Sequence, residues 1–184
     1  MKTIKDYIVQ NVRDTGPIEL PFGTKQKIAA KDHVLTDYGQ FETSVYFIQS
    51  GVVITTLLYR EEQRILDFHF PESFCASYSS LLTATASDIR LTCYKDCVLE
   101  VVDYEELQRC YQTSLLANQL GRIATEQLYV TRVQREKELL TMTAEQRYES
   151  LLKKNPGLVR TIPIKDLSKY LGVRPESLSR IRRQ

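Results

Sequence analysis

Residues 162–183 read Ile162-Pro-Ile-Lys-Asp-Leu-Ser-Lys-Tyr-Leu-Gly-Val-Arg-Pro-Glu-Ser-Leu-Ser-Arg-Ile-Arg-Arg183, and their spacing decides how the C-terminal part of the chain folds. Ile164, Leu167 and Leu171 fall on one helical face. Gly172 follows where a tight turn needs a left-handed residue. Val173 packs the turn and Pro175 suits a first helical position, while Leu178 and Ile181 give a second helix its buried face. A helix, a glycine turn and a short second helix, all within about 21 residues, predict a helix-turn-helix.

The outward positions of that second helix carry Glu176, Ser177, Ser179, Arg180 and Arg183. Arg pairs bidentately with guanine, Glu accepts from cytosine, and Ser suits bases or phosphates. Glu176, Ser177 and Arg180 are therefore candidate base contacts. Lys165, Lys169, Arg174, Ser179, Arg182 and Arg183 are candidate phosphate contacts, which supply position and salt-sensitive affinity without sequence information. Charge agrees. Residues 144–184 hold ten Lys/Arg against four Asp/Glu, a net of +6, and the remaining 15 basic and 19 acidic residues leave −4 for residues 1–143. A mildly acidic body with a basic tail is the footprint of a nucleic-acid-binding appendage, although a solvated basic helix would look similar.

Upstream, Thr141-Met142-Thr143 forms the expected hinge, and Thr143 with Gln146 reads as a capping box opening a helix from Ala144 to Lys154. Asn155-Pro156-Gly157 stops that helix. Residues 104–140 contain no Pro and one Gly, which predicts a short helix followed by a long one. Along the long one, Leu116, Leu120, Ile123, Gln127, Val130 and Gln134 recur at alternating steps of four and three, the pattern of a coiled-coil seam. Packing of the same stripe on the chain's own body is the alternative. A two-helix dimer seam is favoured, because so long and polar a helix needs a partner to bury its stripe.

Between about residues 25 and 103 the pattern is one of short β-branched and aromatic runs. Candidate strands are Gln26–Ala30, Ser44–Gln49, Val52–Tyr59, Arg64–Phe70, Asp88–Tyr94 and Val98–Val102, with Ser50-Gly51 and Arg60–Gln63 as hairpin connections. This argues for a small barrel or jelly roll. Ile4, Ile8 and Val12 predict a short N-terminal helix, and Gly16, Pro17, Pro21 and Gly23 then break the chain.

Composition narrows the function classes. The chain has 184 residues, 42% hydrophobic and 26% charged, too apolar for intrinsic disorder. Its longest apolar run, Val45-Tyr46-Phe47-Ile48, is too short to span a bilayer, and Lys5 and Asp6 interrupt any signal-peptide core, so a cytoplasmic protein without a membrane partner is expected. Cys75, Cys93, Cys97 and Cys110 form no CxxC pair, so no metal site is expected and the thiols are read as small buried residues.

The motifs Val45–Gly51, Thr143–Lys154 and above all Tyr170–Arg183 resemble the Crp/Fnr (catabolite activator/fumarate-nitrate regulator) family of bacterial transcription factors, in particular the branch found in Bacteroidetes. The likeness spans nearly the whole chain. It implies an α+β fold with three parts: a cyclic-nucleotide-binding-like β-roll (a jelly roll) with its N-terminal helix in residues 1–112, a long dimerisation helix in 113–141, and a helix-turn-helix DNA-binding domain in 142–184. It also implies a sequence-specific transcriptional regulator that works as a homodimer on double-stranded DNA, is not an enzyme, and has RNA polymerase as a further candidate partner.

The departures from the family pattern are informative. Members that bind a cyclic nucleotide carry Gly-Glu and, some residues later, Arg-Ser. Here Phe74-Cys75-Ala76-Ser77-Tyr78 precedes Ala86-Ser87, so the Gly is Ala76, the ribose-binding Glu is Ser77 and the phosphate-binding Arg is Ala86. A buried phosphate without its Arg is an unpaired desolvated charge. Residues Phe74, Ala76, Ser77, Tyr78, Ala86 and Ser87 are thus expected to form a degenerate effector pocket that has lost cyclic-nucleotide binding. No cofactor is expected, and the effector is either an unknown small molecule or none. The sequence ends directly after the second helix, so the β-wing of many relatives is expected to be absent or built differently. Two rival readings stand beside this one. A cupin-like metalloenzyme needs clustered histidines, and this chain has only His33 and His69. A signalling or assembly protein would use the helix-turn-helix for protein contacts.

Overall fold

Val45, Tyr46, Phe47 and Ile48 sit in the middle of strand β3 (Ser44–Ser50), and all four are buried. Successive strand side chains point to opposite faces, so a strand without an exposed face lies between two packed layers. A computed structural model describes residues 1–12 and 18–183 and shows both layers; the expected break at Gly16 and Pro17 lies outside the described residues. Tyr46 and Ile48 face a core shared between two antiparallel sheets, while Val45 and Phe47 face a second core under the helices.

The first sheet has the order β1-β8-β3-β6, with β1 (Lys25–Ala29), β6 (Phe74–Cys75) and β8 (Cys97–Asp103) around β3. The second has the order β2-β7-β4-β5, from β2 (Val34–Thr36), β4 (Val53–Tyr59), β5 (Glu62–His69) and β7 (Ile89–Cys93). Ala29, Val53, Cys75, Leu91, Cys93, Cys97 and Leu99 close the space between the sheets, so three of the four thiols act as core filler. Helix α1 (Ile4–Asn11), held by a Thr3–Asp6 capping box, packs Ile4, Tyr7 and Ile8 beneath the first sheet. Gly51 takes a φ of +94° at the β3–β4 turn. An added Cβ there would stand 2.3 Å from the Asp96 carbonyl oxygen, so only glycine fits.

The expected strands are present with ends shifted by up to two residues. The β4–β5 connection is tighter than expected: only Arg60 and Glu61 turn, both at positive φ, which matches the twist of a two-residue hairpin. Two strands, β2 and β6, and the short helix α2 (Tyr78–Thr83) were not legible, because each is too short for a period to register.

Helices α3 (Tyr104–Thr113) and α4 (Leu115–Thr141) meet at Ser114, which ends one and caps the other by accepting from the Ala117 N–H at 3.2 Å. Helix α5 (Ala144–Lys154) opens with the expected Thr143–Gln146 capping box. The Asn155-Pro156-Gly157 stretch ends α5 but does not begin a loop: Pro156 starts the single turn α6 (Pro156–Val159), as its fixed φ permits at a first position. Two further helices follow, α7 (Ile164–Leu171) and α8 (Pro175–Ile181). Among the described residues, no helix is long and apolar enough to cross a membrane.

Candidate nucleic-acid interface and roll pocket

Gly172 ends α7 with a φ of +68°, and the Val173 N–H donates to the Ser168 carbonyl at 3.0 Å. That left-handed cap turns the chain so that α8 starts at Pro175 with its missing N–H costing nothing. Leu167, Leu171 and Leu178 are fully buried with Ile162, Val159, Tyr148 and Leu151, and Phe68 of β5 joins the same core. Burying one apolar side of each helix leaves the other outside. Glu176 and Arg180 of α8 are exposed, together with Lys165, Lys169, Arg174 and Arg183, while Ser177 and Ser179 are half-buried.

Arg182 departs from the expectation of a phosphate contact. Its Nη2 donates to the carbonyls of Val159 at 3.2 Å and Ile162 at 3.0 Å, and its guanidinium lies 5.7 Å from the Tyr148 ring centroid. The reason is positional: Arg182 stands four residues after the buried Leu178 and so shares its inward face. Arg147 is similarly committed, donating to the Met142 carbonyl at 2.7 Å and the Leu171 carbonyl at 3.0 Å. With Lys154, which reaches Glu138 from α5 to α4, three of the ten tail cations tie helices together.

The α7–α8 pair is docked on the second sheet through residues that sequence reasoning missed. Tyr94 donates to Asp166 at 2.7 Å, Lys95 donates to Thr161, and the Phe68 and Tyr170 rings meet edge-on at 5.3 Å. Arg135 of α4 lies 4.1 Å from the Tyr170 ring centroid and donates to the Tyr170 carbonyl. Burial, followed by the nearby Asp67 carboxylate, pushes the Tyr170 phenol well above its ordinary range. At the α4–α5 joint Glu138 accepts from Ser150 at 2.9 Å and Lys154 at 3.2 Å. Burial works against its charged form, yet the bonds from Ser150, Lys154 and Gln134 hold its carboxyl below the ordinary value.

The proposed seam splits in two. Leu116, Leu120 and Ile123 pack against the core beneath the first sheet, and Gln127 accepts from the Tyr7 hydroxyl and donates to Asn11 at 3.0 Å. Over these first turns the stripe is buried on the chain's own roll, the alternative open at the level of periodicity. Further along, α4 still meets β5, with the Arg132 guanidinium 3.3 Å from the Asp67 carboxylate, but its outer face leaves Val130 and Tyr129 65% and 69% exposed, while Gln134 bonds its neighbour Glu138 at 3.4 Å.

In the roll, Phe74 and Tyr78 pack against Tyr7, Phe47 and Leu81. Ala76 is buried and Ala86 exposed. The Ser77 and Ser87 hydroxyls lie 2.7 Å apart, and the Ser87 hydroxyl donates to the Ile89 carbonyl at 2.8 Å. Beside them is a residue that sequence reasoning did not single out, the buried Glu42. Burial, with the Glu42 carboxylate as the next cause, pushes the Tyr46 phenol up to about 12.

No protein-family model and no curated protein matches the sequence. Solved structures do resemble it. FixK2 from Bradyrhizobium japonicum aligns with a TM-score of 0.71 at 19% identity, over 88% of this chain and 84% of that one. A Crp/Fnr-family transcriptional regulator from Eubacterium rectale aligns with a TM-score of 0.69 at 15% identity, over 100% and 82%. The c-di-GMP-responsive global regulator CLP of Xanthomonas campestris aligns with a TM-score of 0.66 at 16% identity, over 87% and 85%. At these identities the likeness is one of architecture: this chain shares its fold with regulators of the Crp/Fnr type.

Proposed function

We propose that the chain is a sequence-specific transcriptional regulator of the Crp/Fnr type, divided near residues 112 and 141 into roll, long helix and DNA-binding unit. The observation that carries this reading is the α7–Gly172–α8 geometry: Leu178 anchors α8 in the core while Glu176 and Arg180 stand exposed on its outer side. Arg180 is the leading base contact, with Glu176 and Ser177 near the start of the same helix. Lys165, Lys169, Arg174, Ser179 and Arg183 meet phosphates; Arg182 is withdrawn from that set because its guanidinium is engaged inside. The regulator works as a homodimer through the outer face of the second half of α4, where Tyr129, Val130 and Leu140 are exposed. Two such recognition helices enter successive major grooves about 34 Å apart and read a near-palindrome. RNA polymerase is a partner of the bound dimer, and no cofactor or catalytic step is involved. The roll takes no cyclic nucleotide.

Selection of genomic fragments with the purified protein, followed by anisotropy titrations at several salt concentrations, tests the reading. A symmetric site and a steep salt slope are expected, and Lys165→Ala with Lys169→Ala should flatten the slope on every sequence. A salt-independent protein that selects no fragment would instead point to a protein-contact surface.

A further inference from the structure

The buried hydroxyl pair of Ser77 and Ser87 has a neighbour that supplies negative charge from within the chain. Glu42 lies between β2 and β3 and is 8% exposed. One carboxylate oxygen accepts from the Thr36 hydroxyl at 2.5 Å and from the Ser77 N–H at 3.3 Å. The other accepts from the Thr43 and Ser44 N–H groups at 3.0 and 3.1 Å. Donors from three separate stretches of chain thus converge on one side chain, which is how a buried carboxylate is accommodated. The backbone around it is closed as well. The Ser87 N–H donates to the Gln40 carbonyl at 2.8 Å, the Gly39 N–H donates to the Ser87 carbonyl at 2.8 Å, and the Glu42 N–H donates to the Ser80 hydroxyl at 3.0 Å. The N–H groups of Ser77 and Ser87 are therefore both taken by residues 40–42.

We propose that Glu42 is a built-in occupant of the roll: its carboxylate holds the donors around Ser77, excludes phosphate-bearing effectors, and keeps the roll in a single packing without any added ligand. A phosphate placed against the Ser77–Ser87 hydroxyl pair would sit beside a buried carboxylate that already holds the Ser77 N–H, and two anions in one desolvated site repel strongly. Glu42 is in this sense the residue that sets the roll's ligand specificity by rejection. The proposal rests on reading the roll as a sensor-like domain, and it names what fills it.

Thermal unfolding of the full chain tests this, with Glu42→Ala and Glu42→Gln compared with wild type. Each is titrated with sodium formate against sodium chloride at matched ionic strength, then with inorganic phosphate and cyclic AMP. Glu42→Ala should melt at least about 5 °C below wild type. Formate, small enough for the vacated space, should restore much of that loss saturably in Glu42→Ala and leave wild type and the volume-conserving Glu42→Gln unmoved. Phosphate and cyclic AMP should not shift wild type. Should Glu42→Ala fail to fold, Glu42→Gln carries the test, because a neutral amide facing those donors should also lower the midpoint. Equal effects of formate on wild type and Glu42→Ala would overturn the proposal. So would saturable stabilisation of wild type by cyclic AMP, or a Glu42→Gln protein as stable as wild type. DNA titrations of the same samples separate the two readings: formate rescue in a protein that binds no DNA leaves the occupant standing and removes the regulator.

Discussion

Arg180 and Arg182 are two residues apart, and the fold leaves one exposed while it engages the other inside, a difference that replacement by Ala reads out. Arg182 places one Nη2 between the carbonyls of Val159 and Ile162, so we count one charge-assisted hydrogen bond of about 1.5–3 kcal/mol. Its guanidinium near the Tyr148 ring adds about 0.5–1 kcal/mol. The side chain is half-buried, and partial solvent screening trims the total to about 2–3 kcal/mol. In a chain of this length that lowers the melting temperature by about 5–10 °C. Arg182→Lys should recover little of this, since an ammonium keeps the charge but loses the planar fork. Arg180 is exposed, so Arg180→Ala should change stability by less than about 0.5 kcal/mol. It should instead weaken DNA binding by about 1–3 kcal/mol, roughly 5- to 150-fold, and relax preference at one symmetric pair of positions. Urea unfolding and anisotropy on each variant give both numbers. The reasoning is refuted if Arg182→Ala is as stable as wild type while its salt slope falls, because Arg182 would then be meeting phosphate.

Three other substitutions probe separate parts of the fold. Val130→Asp should leave the helix and strand content by circular dichroism unchanged, because Val130 is 65% exposed in a single chain, and should give monomers in sedimentation, since a dimer would bury each charge against its copy. Gly51→Ala should cost about 3 kcal/mol in urea unfolding, combining a φ of +94° with a Cβ 2.6 Å from the Cys97 sulfur. Glu138 predicts a pH dependence. Its folded carboxyl lies below the ordinary 4.5, so its stabilisation is fully present above that value and is lost as pH falls through the folded value. The stability difference between wild type and Glu138→Gln should thus be widest near neutral pH and shrink below pH 4.5; a gap that widens in acid would contradict the hydrogen bonds from Ser150 and Lys154.

Local signals carried the C-terminal unit. The apolar spacing of Ile164, Leu167 and Leu171, a glycine that alone turns left-handed without cost, and a proline at a first helical position act within a few residues, and each reappears in α7 and α8. The Thr143–Gln146 cap and the strand at Ser44–Gln49 were legible for the same reason: period and capping chemistry belong to the backbone of one element. What lay beyond reach concerns where elements meet. Periodicity drew one stripe along α4, but only the packing of the helix on the roll decides that Leu116, Leu120 and Ile123 are covered and Val130 is left open. Charge counting treated Arg182 and Arg180 alike, although one reaches carbonyls on α6 and beyond it while the other faces outward. The missing Glu and Arg at Ser77 and Ala86 could be read as a loss, whereas the carboxylate of Glu42, 35 residues from Ser77 along the chain, comes into view only once the strands are paired. Sequence spacing determines helices, turns and faces because those are local; the destination of a long polar side chain is decided by what tertiary packing brings within hydrogen-bond reach.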